Sequence, residues 1–184
     1  SEAIALRGEQ PDALLAGERD GLRISGALTG GIEFDLGNSP REYTSERVKG
    51  RTIISTTTNG TRALRACASA EMVLIGSFLN FSKTLDLVIS CKPRQLLLIC
   101  AGTGDNAALE DAIAAGAFCA AALARLPSSE MLDSAEIALR AHRQARQHLL
   151  QVIRCSQNGR RLMANAELRE DVAFCLRMDS QQVT

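Results

Sequence analysis

Apolar runs alternate with polar turns along the first two thirds of the chain. Apolar or β-branched residues at 13–16, 52–56, 72–76 and 95–101 predict buried strands. Each of the last three runs is followed by a polar turn and then by apolar residues at helical spacing, the last of these patterns extending over 108–125. Repeated strand–turn–helix units predict an α/β fold with a largely parallel sheet covered by helices.

The remaining segments differ from this repeat. Residues 21–50 are rich in Gly, Pro, Ser and charge and predict a long loop with little regular structure. From about 129 to 155 the pattern is helical, and a break follows at 158–161, whereas 167–178 fits either a helix or a strand. A chain of 184 residues with 46% hydrophobic content is long enough for one compact domain that includes the whole chain.

The turns that leave the predicted strands should lie close together. In a parallel sheet the carboxyl ends of the strands share one edge, and ligands bind in the crevice there. The polar turns at 57–62, 77–80 and 102–106 fall at such ends, and Glu18 and Arg19 follow the first strand. We therefore expect these four groups to form one crevice, with Glu18 and Arg19 either solvated or part of the site.

The turn after the second predicted strand carries a dense set of hydrogen-bond donors, which are Thr57, Thr58, Asn59, Gly60, Thr61 and Arg62. Asn59 or Thr61 can cap the following helix, and Gly60 allows a backbone conformation closed to other residues. Amides at a helix start and an Arg guanidinium both bind oxyanions. The turn therefore predicts an anion site, although Asn and Gly are also ordinary turn residues.

Carboxylates in two segments are candidate ligands for a cation. Glu110 and Asp111 fall in the first turn of the helix at 108–125, where the helix dipole alone explains them. The alternative is that one of them joins Asp35 as an oxygen ligand of Mg²⁺, which proteins bind through one or two carboxylates and the substrate's phosphate. Both interpretations stay open.

The loop around Asp35 offers a similar choice. Asp35, Asn38 and Ser39 carry oxygen atoms that suit a metal ion or a substrate. Pro40 follows them directly, and an Asx-type turn locked by this proline explains the same residues without a ligand.

Cys100 ends the last predicted strand and is the cysteine expected near the crevice. A nucleophilic thiolate needs a nearby cation or helix start to lower its pKa, and the pattern places neither His142 nor His148 beside it. We therefore expect Cys100 to be a packing residue, like the other five cysteines, which form no CxxC pair.

Composition argues against several classes of function. Lys plus Arg and Asp plus Glu are equal at 21 each, so no basic field attracts nucleic acid or an anionic membrane, and 3% aromatic residues leave little for base stacking. The chain contains no GxxxxGK[ST], GxSxG or HExxH motif. No apolar run approaches the roughly 20 residues of a membrane span and no signal peptide opens the chain, which favours a cytoplasmic protein.

Six short motifs occur in a defined order. They are LAGER at 15–19, FDLGNSP at 34–40, TTTNGTRA at 56–63, GSFLN at 76–80, CAGT at 100–103 and LED at 109–111. In order and spacing these motifs closely resemble the 2-phosphosulfolactate phosphatase family (ComB) over essentially the whole chain.

The resemblance implies a Mg²⁺-dependent acid phosphatase with a three-layer α/β/α fold and a largely parallel or mixed sheet. Such an enzyme hydrolyses the phosphate monoester of 2-phosphosulfolactate to sulfolactate and phosphate, a step of coenzyme M biosynthesis in methanogens. Members also occur in organisms without that pathway. A phosphatase for other small organic acid phosphates and a non-catalytic binder of small anions are the alternatives.

With this resemblance, we assign roles to individual residues as hypotheses. Glu18, Arg19 and Asp35 are the catalytic candidates, with Glu18 as a general acid or base. Asp35, Glu110 and Asp111 are the candidate Mg²⁺ ligands. The residues expected to bind a small anionic phosphorylated substrate are Asn38, Ser39, Thr57, Thr58, Asn59, Gly60, Thr61, Arg62, Ser77, Asn80, Gly102 and Thr103.

Proteins of the resembled family usually begin with some tens of additional residues, including a strand that ends in Asp-Val-Leu-Arg-Ala. These residues do not precede Ser1 in this sequence, so part of the family's active site is expected to be absent from it. Apolar surface left by a missing segment would favour self-association, and a homo-oligomer is therefore left open.

Overall fold

A computed structural model describes residues 2–19 and 21–181 of the chain. The chain forms two compact units, one ending at Arg62 and the other beginning at Ala63. Each unit buries its own hydrophobic core. The expectation of a single domain stays a prediction.

The first unit is built on a small mixed sheet. Its strand order is β2-β1-β3, with β1 antiparallel to β2 and parallel to β3. This confirms the predicted α/β class and the mixed sheet, whereas the three-layer arrangement stays a prediction. The helices and strands of this unit are α1 (Glu2–Glu9), β1 (Leu14–Arg19), β2 (Leu22–Arg23), α2 (Ser45–Val48) and β3 (Ile53–Thr56).

The central strand β1 is buried because its residues are small or apolar. Leu15 and Ala16 have almost no exposed surface, and Phe34 is buried in the same unit. Gly17 allows a close approach of β3, since a Cβ atom at this position would lie 2.5 Å from the carbonyl oxygen of Thr56. The sheet therefore brings the ends of β1 and β3 together.

The connection from β2 to β3 is mostly irregular, as the composition of residues 21–50 predicts. Besides α2 it contains a 3₁₀ turn at Pro40–Glu42. Leu36 forms a parallel bridge with Ala16, and the Gly17 N–H donates to the Leu36 carbonyl oxygen at 3.0 Å. The middle of this connection therefore lies against β1.

The second unit consists of helices joined by irregular segments. Its core includes Phe81 and Phe118, whose ring centroids lie 4.4 Å apart. Helices α5 and α6 pack closely at Gly116, where a Cβ atom would lie 1.9 Å from the carbonyl oxygen of Ala138. The helices from the boundary onward are α3 (Gly60–Ala66), which begins in the first unit, α4 (Phe81–Cys91), α5 (Leu109–Arg125), α6 (Asp133–Ala145), α7 (Leu149–Cys155), α8 (Gln157–Ala164) and α9 (Arg169–Phe174).

Two predicted strands of the second unit are not formed. Residues 72–76 and 95–101 lie outside regular secondary structure, and Ile75 and Leu97 are 64% and 70% exposed. A strand needs a neighbouring strand that satisfies its backbone hydrogen bonds, and the described part of this unit offers none. The strand prediction is therefore wrong at both places.

The carboxyl-terminal third is more helical than predicted. The break expected at 158–161 is wrong, because α8 runs through it. The Ser156 hydroxyl caps this helix by accepting the Gly159 N–H at 3.0 Å. Because a serine at this position stabilises the first turn of a helix, residues 158–161 are helical. Helix α9 decides the open choice at 167–178 in favour of a helix. Among the residues described, no helix has the length and apolar character that a membrane crossing requires.

Candidate functional site

Glu18, near the end of β1, is hydrogen-bonded to the turn that follows β3. Its Oε1 atom accepts the Thr58 N–H at 2.9 Å and the Thr58 hydroxyl at 2.8 Å. Its Oε2 atom accepts the Gly21 N–H at 2.9 Å, and the residue is 8% exposed. The carboxylate therefore joins the ends of two parallel strands, which is where the sequence predicted a shared edge.

These hydrogen bonds set the protonation state of Glu18. Burial acts to raise the pKa of its carboxyl, but the hydrogen bonds from Gly21 and Thr58 and the charge of Arg19 outweigh burial and hold the pKa below its ordinary value. The group is therefore ionised at neutral pH. In that state it has no proton to donate, and both of its oxygens hold neighbouring backbone.

The turn after β3 is also braced within itself. The Thr57 hydroxyl oxygen accepts the Thr61 N–H at 3.3 Å, and the Thr61 hydroxyl donates to the Thr57 carbonyl oxygen at 2.9 Å. Thr57 thus binds the first turn of α3, a role that the sequence had suggested for other residues. Gly60 begins α3 without a positive φ, so it does not use the left-handed conformation that glycine allows. Asn59 is half-buried and Arg62 is exposed.

Arg19 extends the polar edge of the first unit. It is exposed, and its Nη1 atom donates to the Glu18 carbonyl oxygen at 2.7 Å. The structure thus brings Glu18 to the turn at 57–62. The place of Arg19 in a site at this turn stays a prediction. Hydroxyls, amides and guanidinium groups are the donors that proteins use for oxyanions.

Asp35 is held by a backbone amide and by a cation. Its Oδ2 atom accepts the Leu15 N–H at 2.8 Å and forms an ion pair with Arg7 at 3.2 Å. The carboxylate is therefore oriented against β1, with its charge partly neutralised. Of the two neighbouring candidates, Asn38 is exposed and Ser39 is buried at the start of the 3₁₀ turn.

A tight loop precedes α5 in the second unit. Gly102 and Gly104 have φ angles of 70° and 60°, which glycine adopts without strain. Thr103 and Asn106 exchange backbone hydrogen bonds of 2.9 and 3.1 Å, and the Gly102 N–H donates to Oδ2 of Asp111 at 2.8 Å. The loop and the first turn of α5 are therefore directly connected.

Asn158 joins the same loop and helix a second time. Its Nδ2 atom donates to the Thr103 hydroxyl oxygen at 2.6 Å and to Oε1 of Glu110 at 2.5 Å. Sequence reasoning missed this residue. Its one visible signal is its place beside Gly159, and an Asn-Gly pair indicates a turn rather than a site.

The pKa of Asp111 is shifted in the opposite direction to that of Glu18. Burial raises the pKa of the Asp111 carboxyl, and the charge of Glu110 adds to this effect. Hydrogen bonds from the Gly102 and Ala101 amides act in the other direction without cancelling it. A cation bound beside these two carboxylates would relieve their repulsion.

The carboxylates of α5 have the chemistry that Mg²⁺ requires. Each is oriented through one oxygen, Glu110 by Asn158 and Asp111 by a backbone amide. Asp35 already pairs with Arg7. Within each unit, the described residues include no group of three or more His, Cys, Asp or Glu side chains placed to hold a metal. The donors therefore fit an ion that keeps water and substrate oxygens as most of its ligands.

Ser77 and Asn80 support the start of α4. The Asn80 Oδ1 atom accepts the Ser77 N–H at 2.9 Å and the Ser77 hydroxyl at 3.1 Å. The Asn80 Nδ2 atom donates to the Ile75 carbonyl oxygen at 2.9 Å, and Asn80 is 8% exposed. These contacts explain both residues locally, and their role in substrate binding stays a prediction.

The expectation that Cys100 is a packing residue is wrong, because the residue is exposed. Its electrostatics nevertheless disfavour a nucleophilic thiolate. Partial burial raises the pKa of its thiol, and Asp111 and Cys119 raise it further. A thiol of raised pKa carries little thiolate at neutral pH.

A pocket of about 450 Å³ in the second unit does not suit phosphate. Burial lowers the pKa of His142, and the charges of Arg146 and Arg143 lower it further, so the imidazole is neutral at pH 7. The pocket includes none of the predicted site residues, and its lining is mostly apolar, with Phe78, Phe81, Leu149 and Met178 beside His142 and Arg146.

The sequence as a whole matches a known family. A model of the family described as 2-phosphosulpholactate phosphatase matches residues 1–184. The chain belongs to this family. The resemblance seen in the six motifs is thereby confirmed.

Relatives in three bacteria carry the name "Probable 2-phosphosulfolactate phosphatase". The protein of Caldanaerobacter subterraneus subsp. tengcongensis is 39% identical over 166 residues, which are 90% of this chain and 65% of the relative. That of Clostridium acetobutylicum is 33% identical over 168 residues, 91% and 67% of the two chains. That of Caldicellulosiruptor saccharolyticus is 32% identical over 183 residues, 97% and 72% of the two chains.

The chain therefore spans about two thirds of the length of these 2-phosphosulfolactate phosphatase relatives. The match includes all six motifs, since they fall between residues 15 and 111 of the 184 that the family model covers. The described structure of this family member places the motifs at 15–19 and 34–40 in the first unit and those from 76 onward in the second. The motif at 56–63 ends one residue beyond the boundary between the units.

Proposed function

We propose that this chain carries the phosphatase chemistry of its family and hydrolyses 2-phosphosulfolactate to sulfolactate and phosphate. A water molecule attacks phosphorus, and the bond from phosphorus to the ester oxygen breaks. The ester oxygen leaves with a proton as the hydroxyl of sulfolactate, and the water oxygen stays on the released phosphate. Water and the monoester are the reactants, so atoms and charge balance without a further reagent.

The observation that carries the proposal is the turn at 57–62 and its attachment to Glu18. Family membership supports the reaction class, and this turn supports phosphate as the group that is bound. Arg19 and Arg62, with the amides of the turn at positions 59 and 60, are proposed to bind the phosphate or the other acidic groups of the substrate. In this structure the donors of Thr58 and Thr61 are given to Glu18 and Thr57, so these residues would have to exchange those hydrogen bonds to contact a substrate. The buried Glu18 carboxylate keeps the Thr58 amide and hydroxyl in a fixed arrangement.

The hydrogen bonds of Glu18 favour a narrower role than the general acid or base that the sequence suggested. Its ionised carboxylate can accept a proton from water but cannot supply one to the leaving oxygen. We therefore propose Glu18 as the residue that positions Thr58, and as a base rather than an acid if it takes part in proton transfer. The leaving oxygen takes its proton from water in this scheme.

Mg²⁺ is proposed as the cofactor, with Glu110 and Asp111 of the second unit as its protein ligands. Asp35 of the first unit stays a separate candidate ligand. The ion would neutralise charge that develops on phosphate oxygens. Asn38, Ser39, Ser77, Asn80, Gly102 and Thr103 remain proposed substrate contacts. We also propose a cytoplasmic enzyme and a homo-oligomeric state. A place in coenzyme M biosynthesis is proposed from the family resemblance.

Phosphate release from 2-phosphosulfolactate tests the proposal, measured with Mg²⁺ and with chelator. Arg62→Ala should lower kcat/KM by about 10²-fold, because a bidentate contact to phosphate is lost. Arg65→Ala is the matched control, since it removes the same charge from the last turn of the same helix. The longer relative from Clostridium acetobutylicum serves as an assay control.

Each outcome separates the candidate functions. Release that chelator abolishes and that Arg62→Ala impairs supports the proposal. Equal turnover of phospholactate, which lacks the sulfonate, favours a broader phosphatase. Binding of phosphate without turnover, unaffected by Glu110→Gln and Asp35→Asn, favours the non-catalytic anion binder. No release by this chain, with an active longer relative, contradicts the proposal for this chain.

A further inference from the structure

Asn158 connects two predicted site residues that belong to different parts of the second unit. Thr103 lies in the loop before α5, and Glu110 is the second residue of that helix. The two Nδ2 protons of Asn158 are donated to the Thr103 hydroxyl oxygen at 2.6 Å and to Oε1 of Glu110 at 2.5 Å. One nitrogen atom of Asn158 therefore contacts two residues that lie 55 and 48 positions earlier in the sequence.

The backbone that carries Asn158 is held rigidly. Ser156, which is 4% exposed, caps α8 by accepting the Gly159 N–H at 3.0 Å. Gly159 packs against the carbonyl oxygen of Ile153, where a Cβ atom would lie at 1.7 Å, so no other residue fits without a shift. These contacts hold the backbone of the corner between α7 and α8, and the two hydrogen bonds to Thr103 and Glu110 hold the Asn158 amide.

The two hydrogen bonds have defined chemical consequences. Because the Thr103 oxygen accepts from Asn158, the hydroxyl proton of Thr103 is directed elsewhere and is available to a substrate oxygen. Because Oε1 of Glu110 accepts the second proton, that carboxylate is oriented and its Oε2 atom remains for a cation. The Asn158 amide thus orients both a hydrogen-bond donor, the Thr103 hydroxyl, and a cation ligand, the Glu110 carboxylate.

We propose that Asn158 is a positioning residue of the phosphatase site, which sets the Thr103 hydroxyl for substrate and the Glu110 carboxylate for Mg²⁺. This inference rests on the proposed function. It adds a residue outside all six family motifs. Asn158 acts through Thr103 and Glu110 and is not itself expected to touch the reacting atoms.

The test compares Asn158→Leu and Asn158→Ala with the control Gln157→Ala, an exposed residue one position earlier in α8. Leu has the same number and branching of side-chain heavy atoms as Asn, with a larger volume, but donates no hydrogen bond. In both Asn158 variants we expect Mg²⁺ affinity, measured by calorimetry without substrate, to fall about tenfold, and KM for 2-phosphosulfolactate to rise by a similar factor, with a smaller change in kcat. Gln157→Ala should match the wild type in both measurements.

The outcomes are separable from those of the proposed function. Wild-type Mg²⁺ affinity and KM in folded Asn158→Leu overturn the inference, because packing alone would then explain Asn158. If the wild type releases no phosphate, the proposed function fails, and the comparison of Mg²⁺ affinities alone tests the role of Asn158. If the wild type does not bind Mg²⁺, the inference about Asn158 is overturned as well. If Asn158→Leu is unfolded at the assay temperature, Thr103→Val tests the contact from the loop, and an unchanged KM in that variant overturns the inference.

Discussion

Glu18 and Thr58 lie 40 positions apart in the sequence and are joined by two hydrogen bonds, one to the Thr58 amide at 2.9 Å and one to its hydroxyl at 2.8 Å. This contact attaches the carboxyl end of β1 to the turn that leads into α3. The buried, ionised Glu18 carboxylate thereby holds the turn in shape. We therefore expect the stability of this turn and its anion affinity to depend on Glu18.

Glu18→Gln should destabilise the protein by about 1–3 kcal/mol near neutral pH, because a charged acceptor of buried hydrogen bonds is lost and an amide N–H is placed against the Gly21 N–H. The free energy of unfolding from denaturant titration is the measurement. Glu9→Gln, at the exposed end of α1, is the control and should change stability by less than about 0.5 kcal/mol.

The same variant has a defined pH dependence. The pKa of Glu18 is lower in the folded protein than its ordinary value, so its contribution to stability is present above the ordinary carboxyl pKa and is lost as pH falls through the folded-state pKa. The difference in unfolding free energy between wild type and Glu18→Gln should therefore shrink on acidification. A difference that stays constant or grows would contradict the assignment.

Asp111→Asn should show the opposite trend. The folded-state pKa of Asp111 is raised, mainly by burial, so the contribution of this carboxyl to stability is present below its ordinary pKa and is lost as pH rises through the folded-state pKa. In buffer with chelator, the variant should gain stability relative to the wild type as pH rises. Denaturant titrations at several pH values measure this, and a relative loss with rising pH would count against it.

Gly116→Ala should destabilise the second unit by about 1–3 kcal/mol, because the new methyl group would overlap the Ala138 carbonyl oxygen at the contact of α5 and α6. Gly8→Ala is a matched control, since nothing lies within 4 Å of a Cβ atom there and the residue is also helical. The control should be neutral or stabilising by up to about 1 kcal/mol. Thermal unfolding of both variants decides the point, and equal effects would show that α5 and α6 do not pack closely at Gly116.

Cys100→Ser should leave phosphate release unchanged, because the raised pKa of the thiol makes it a poor nucleophile. Steady-state kinetics with 2-phosphosulfolactate are the measurement, with Cys91→Ser, an exposed cysteine of α4, as the control. A loss of about 10²-fold or more confined to Cys100→Ser would instead indicate covalent catalysis.

Local pattern was a good guide where the described fold supplies the partner that an element needs, as β1 does for β3. The β-branched run at 52–56 forms β3, and the apolar spacing at 108–125 forms α5. The run at 72–76 has equally apolar residues but no strand, because a strand depends on a partner that is remote in sequence. Gly159 wrongly indicated a break at 158–161 for a related reason, since its close contact with Ile153 is visible only in three dimensions.

The sequence by itself determined the family, the α/β class and the position of the polar turns after the first strands, because motif order and side-chain periodicity are properties of the chain alone. Only the tertiary structure decided that Glu18 supports Thr58 and that Asn158 links Thr103 to Glu110. Hydrogen bonds of this kind join atoms whose separation along the chain leaves no periodic signal. Which groups form such hydrogen bonds depends on tertiary packing, because packing determines both the distance between two groups and how deeply they are buried.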